Sequence, residues 1–158
     1  MKIRIRGFSF IELMVTLAIM SILAMVAVPM AQWATQREKE RVLKIALAEM
    51  REAIDAYKRA SDQGRIAMKI GESGYPKNLL ELVEGVEDQR NPNRKKIYFL
   101  RRIPYDPMNP NGTLKPEESW GLRSYESPPE EPAEGVDIFD IFSTSNRIGL
   151  NGIPYSKW

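Results

Sequence analysis

The chain has 158 residues, 43% of them hydrophobic and 28% charged, with a formal net charge of +2, which is the size of one ordinary domain with room for an appended segment. It contains neither cysteine nor histidine. No disulfide can staple it, no thiolate can attack or bind metal, and the commonest general base and zinc ligand are missing. Lys2, Arg4 and Arg6 stand at the start, and beyond them bases and acids nearly balance, which argues against a nucleic-acid binder held by phosphate contacts.

From Phe8 to Val28 the chain reads FSFIELMVTLAIMSILAMVAV, with Glu12 as its single charge. As a helix this stretch spans roughly 30 Å, a bilayer's hydrocarbon core. A cleaved secretory signal would end in a small-x-small site and a break. Ala24, Ala27 and Ala31 are small, but the helical pattern runs on through Gln32 and Ala34. Nothing later is apolar enough to surround a buried core helix. A retained membrane helix over 8–31 is therefore expected. Arg37, Lys39 and Arg41 follow it, diluted by Glu38 and Glu40, so the bias toward a cytoplasmic N-terminus is weak. A carboxylate one turn inside such a span is costly and reads as functional; the alternative is a Glu12 solvated at headgroup level or protonated. Pro29 removes a backbone donor and predicts a helix bend near the membrane exit.

Gln32 to about Gly64 continues the same helix. Leu43, Leu47, Met50, Ile54 and Tyr57 line one face, a core seam against the rest of the chain. Residues 65–74 read as a loop, and Pro76 to Gly85 as a short helix. Residues 86–96 are polar, and Arg90, Arg94, Lys95 and Lys96 read as a solvated loop rather than a nucleic-acid patch. Ile97–Leu100, Trp120–Glu126 and Val136–Phe142 are strand candidates separated by Pro/Asn/Gly-rich loops. The fold class is α+β: a long N-terminal helix packed on a small antiparallel sheet of three to four strands.

The leader, Gly7, Phe8, Ser9-Phe10-Ile11-Glu12-Leu13 and the apolar run together resemble the type III signal of type IV pilins and type II secretion pseudopilins. Tyr75-Pro76 with its Leu-rich helix, Arg101 to Pro107, Trp120-Gly121, Asp140 to Ser143 and Trp158 look most like the major pseudopilin, the general secretion pathway protein G type. The resemblance implies a prepilin leader over 1–7, an assembly helix over 8–31 and a globular pilin-like domain over 32–158. It implies cleavage between Gly7 and Phe8 by a prepilin peptidase, N-methylation of Phe8 and polymerisation into a helical filament. Glu12 would pair with the Phe8 ammonium of a neighbouring copy, and Pro29 falls where the family bends its helix. Implied partners are further copies, other pseudopilins, the peptidase/N-methyltransferase, an inner-membrane assembly platform and membrane lipid, with no nucleic acid. The location implied is the bacterial inner membrane, single-pass, with the globular part in the periplasm. A type IV pilus subunit and a minor or competence pseudopilin are the related alternatives.

No cofactor is expected. Major pseudopilins hold calcium in the loop after the last strand, and calcium needs several hard oxygens, usually with carboxylate charge. Residues 143–158 contain no Asp or Glu, so packing by Ile148, Leu150, Ile153, Tyr155 and Trp158 is expected to fix the loop instead. The competing class is a membrane-anchored enzyme using Glu117-Glu118, Glu130-Glu131, Asp137 or Asp140. Most of these acids lie in Pro-rich loops without a pocket scaffold, and no nucleophile-elbow, Walker or zinc spacing is present.

Overall fold

A computed structural model of the chain describes residues 7–109 and 111–158; all but the last residue of the expected 1–7 leader lies outside them. The described residues fall into two compact units that divide between Glu38 and Lys39. Helix α1 (Phe10–Asp62) contributes to both.

In the first unit α1 is apolar on every side and long enough to cross a membrane. Its large side chains from Phe8 to Trp33 are exposed. The few hydroxyls in the helix are satisfied internally: Thr16 donates to the Leu13 carbonyl at 2.9 Å, Ser21 to Leu17 at 2.8 Å and Thr35 to Ala31 at 3.0 Å. A span in hydrocarbon needs this, because no water is present to take the bonds. The helix continues through Pro29, whose missing N–H leaves the Met25 carbonyl without its usual donor.

In the second unit the expected seam is present. Leu43, Leu47, Met50, Ile54 and Tyr57 are buried in one cluster with Leu79, Leu82, Leu100, Trp120, Ile138 and Ile141. The helix ends with a paired closure. Gly64, at φ +67°, donates to the Ser61 carbonyl at 2.8 Å, and Arg65 donates to Ala60 at 3.0 Å. That geometry requires a left-handed residue after the helix, which glycine adopts without strain. The short helix α2 (Leu80–Glu84) starts where the Asn78 side chain accepts the Glu81 N–H at 3.0 Å.

Four strands form, but as two separate antiparallel pairs rather than one sheet. β1 (Val86–Glu87) pairs with β2 (Lys96–Ile97), and β3 (Trp120–Arg123) with β4 (Asp140–Ser143). The expected longer strands are cut short because their amides find other acceptors. Phe99 and Leu100 both donate to the Leu82 carbonyl of α2, at 3.0 and 2.9 Å. Ser124 donates to Ala133 at 2.9 Å, and Ile138 to Pro76 at 2.8 Å. Gly121 lies so close to Phe142 that an added Cβ would sit 2.4 Å from the ring, so a larger residue at this rung would have to displace the Phe142 side chain.

The C-terminal segment departs from expectation. Tyr155 is fully buried and Trp158 packs against the same core, but Ile148, Leu150 and Ile153 are exposed, so packing fixes only the end of the loop. Helix side chains hold it. Glu40 accepts the Leu150 N–H and the Tyr155 hydroxyl, each at 2.8 Å. Arg51 donates to Asp140 at 2.8 Å and to the Trp158 carbonyl at 2.7 Å, and the Lys44 ammonium lies 4.8 Å over the Trp158 ring.

Candidate functional site

The N-terminal residues singled out in the sequence sit together at the start of α1. Gly7, Phe8 and Ser9 precede the helix and are exposed. The Gly7–Phe8 bond therefore lies in unwound chain, the form a peptidase can bind. A Cβ on Gly7 would meet nothing within 4 Å, so the chain's own fold does not demand glycine there. Any demand comes from what binds the bond.

Glu12 lies in the first turn. Its carboxylate accepts the Ser9 backbone N–H at 2.9 Å, and the Leu13 N–H donates to the Ser9 carbonyl at 3.1 Å. Ser9-Phe10-Ile11-Glu12 thus has the S-x-x-E spacing in which an acid on the third helical residue reaches back to cap the helix. The spacing is visible in the sequence, but attention to the cost of an acid in an apolar span hid it. The helix N-terminus carries partial positive charge, so this position favours a carboxylate and disfavours a cation on the same chain. A carboxylate has more acceptor positions than one amide uses, and Glu12 can keep its cap while accepting a second donor. Pro29 lies well down the same helix. Trp33, past the apolar run and 62% exposed, has the type and place of an interfacial anchor, a signal the sequence carried and composition alone passed over.

Two of the acids considered for catalysis, Asp140 and Asp137, have structural partners. Asp140 lies between Arg51 at 2.8 Å and Arg123 at 3.4 Å. Asp137 accepts from the hydroxyls of Ser73 and Ser124 and from the Tyr125 N–H. Burial pushes the Asp137 carboxyl up, but these donors together hold it below the usual carboxylate range. Glu117-Glu118 lie in a single 3-10 turn (Pro116–Glu118), and Glu130-Glu131 on an exposed loop.

Several side-chain oxygens around the C-terminal segment are engaged within the fold. Glu40 faces two donors, as above. Asp106, fully buried, accepts the Ser143 hydroxyl at 2.7 Å and the Met108 N–H at 2.8 Å. Burial raises its carboxyl above the usual range, against these hydrogen bonds. The Asn151 side-chain oxygen accepts the Ile153 N–H at 3.0 Å. No group of three or more acids among the described residues could hold a metal.

A cavity of about 1050 Å³ opens on the second unit. Glu87 and Gln89 of the β1–β2 hairpin line one part, and Tyr125, Glu126 and Val136 another. Tyr75 stacks on Tyr125 with centroids 5.7 Å apart, and the Tyr57 hydroxyl donates to Glu81 at 3.0 Å.

Residues 2–28 match the family model described as "Prokaryotic N-terminal methylation motif". No curated protein and no solved structure gives a significant match. The motif is a pilin-like prepilin signal, and it supports a subunit of the type IV pilin-like or pseudopilin kind, a structural class anchored by its N-terminal helix.

Proposed function

We propose that the protein is a structural subunit of a type II secretion pseudopilus. A prepilin peptidase hydrolyses the Gly7–Phe8 amide on the cytoplasmic side. This leaves a carboxylate on the released leader and an ammonium on Phe8, which is then N-methylated. The apolar helix stays in the inner membrane, and the globular part lies in the periplasm. Copies join head to tail with a rotation that does not close, which yields an open filament. Its growth pushes folded substrate outward.

The observation that carries this reading is the exposed Gly7–Phe8 bond ahead of a helix whose first turn holds Glu12. The new Phe8 ammonium would sit at the positive end of its own helix, an unfavourable place. Glu12 of an adjacent copy offers the opposite charge. In lipid each charge alone is expensive, and pairing relieves both. The pair therefore selects axial register more than it adds net stability.

The test is mass spectrometry of the mature N-terminus together with filament yield. The expected product begins at methylated Phe8. Glu12→Ala should be processed and methylated normally yet form no filaments. Mature protein still carrying residues 1–7, or normal filaments from Glu12→Ala, would overturn the reading.

A further inference from the structure

The near-neutral body conceals two exposed patches of opposite sign. From Arg90 to Arg102 the chain carries six cations, Arg90, Arg94, Lys95, Lys96, Arg101 and Arg102, and no acid; all six are exposed. Arg94 makes only a long 3.7 Å pair with Glu87, itself exposed, and the Lys96 ammonium reaches the Glu84 carbonyl. From Ser124 to Gly135 the chain carries Glu126, Glu130, Glu131 and Glu134 and no base. All four are exposed, and no ion pair reaches them among the described residues.

Neither patch is a loose loop. The basic hairpin is held by the Arg65–Asp88 ion pair at 2.6 Å, by Gln89 donating to the Arg65 carbonyl, and by Phe99 and Leu100 on the Leu82 carbonyl. The acidic loop is stiffened by prolines and closed by Ser124 donating to Ala133 and by Ser127, whose hydroxyl donates to the Glu131 carbonyl and accepts the Ala133 N–H. The open cavity is lined by Glu87 and Gln89, just before the basic stretch, and by Tyr125 and Glu126 of the acidic one, while the six cations lie outside it. Each patch thus presents like charges on a pre-organised frame with little internal neutralisation, which favours a partner of opposite sign.

We propose that the hairpin at Arg90–Arg102 docks on the acidic loop 126–134 of a second copy of this chain, as a lateral contact of the polymer. The counter-charge is carried by the same chain, so it is present wherever the hairpin is. Polymerisation raises its local concentration, and repetition along a filament makes individually weak exposed pairs count. The proposal rests on the filament reading above. It adds a contact between globular parts that sets lateral register, as Glu12 sets axial register.

The absence of native cysteine permits a clean test in cells producing the full chain. Two differently tagged single variants, Lys95→Cys and Glu131→Cys, are co-expressed and oxidised in the membrane. Mixed dimers should outnumber like-with-like dimers by about tenfold, and added salt should reduce them. Adding Glu130→Lys and Glu134→Lys to the second variant should lower the mixed yield about tenfold. Arg94→Glu and Lys96→Glu on the first should then restore it. Mixed dimers no more frequent than like pairs, or indifferent to charge reversal, would overturn the proposal. Filament yield and the N-terminal mass of the unmodified chain report the parent reading separately. Filaments without mixed dimers defeat the docking alone, mixed dimers without filaments defeat the filament alone, and neither product defeats both.

Discussion

Helix α1 meets two different fates along its length. Before Glu38 its Leu17, Ile22 and Met25 are 64%, 64% and 78% exposed; after Lys39 its Leu43, Met50 and Ile54 are fully buried. Both stretches are rich in aliphatic side chains, so apolar content does not decide burial. Distribution does. The later stretch places charge on one side and carbon on the other, and the chain supplies a cover for the carbon. The earlier stretch is apolar all round, and its large side chains are exposed. Its length and composition suit a membrane span, and the proposed processing residues Gly7 and Phe8, with Glu12, lie at its start.

The contrast can be broken by substitution. Leu43→Ala or Ile54→Ala should cost about 2–5 kcal/mol of folding stability, the range for truncating a closed core. This is read from denaturant unfolding of the detergent-solubilised full chain by tryptophan fluorescence. Leu17→Ala should change the same curve by less than about 0.5 kcal/mol; a loss as large as that of Leu43→Ala would erase the distinction. A step down, Glu40→Ala removes the acceptor of two bonds from the C-terminal segment and should cost about 1–3 kcal/mol, with the Tyr155 fluorescence environment changed and processing at Gly7 untouched.

Acid separates two buried carboxyls of the second unit. Asp137 is held below its ordinary value, so its stabilisation is complete above the unfolded carboxylate range and is lost as pH falls through its lowered folded value. Asp106 is raised, so its contribution runs the other way, and stability is gained as pH falls through the raised value toward the ordinary one. Asp137→Asn should flatten acid unfolding, and Asp106→Asn should steepen its onset; identical acid curves would contradict both assignments. The smallest expected effect is Lys44→Ala, about 0.5 kcal/mol from its contact with the Trp158 ring, checked in the same denaturant series.

The buried seam was legible because a 3.6-residue period records which side of a helix is covered. The prepilin signal was legible because its chemistry is confined to a few consecutive residues. The strands were read too long, since pattern shows which residues tolerate an extended form but not which carbonyl claims each amide. Phe99 and Leu100 look like strand, yet their N–H groups belong to Leu82. The clasp on the C-terminal segment left no local trace. Nothing near Glu40 in the sequence marks it as the acceptor of Leu150 and Tyr155, which lie far along the chain, and the apolar character of Ile148, Leu150 and Ile153 does not reveal that they stay exposed. The basic run at Arg90–Lys96 and the acids Glu130-Glu131 were each legible as solvated loops, but their complementarity was not, because a net charge near zero averages the two away.

That clasp has a kinetic consequence. The bonds from Glu40 and Arg51 to Leu150, Tyr155 and Trp158 bridge sequence separations of 107 to 115 residues. Folding of the second unit is thus dominated by closures that wait for the far end of the chain, a topology that folds slowly. Until Tyr155 arrives, its place in the core against α1 stays open to solvent. Synthesis order therefore imposes a delay: a newly inserted copy is anchored first and becomes a finished building block last.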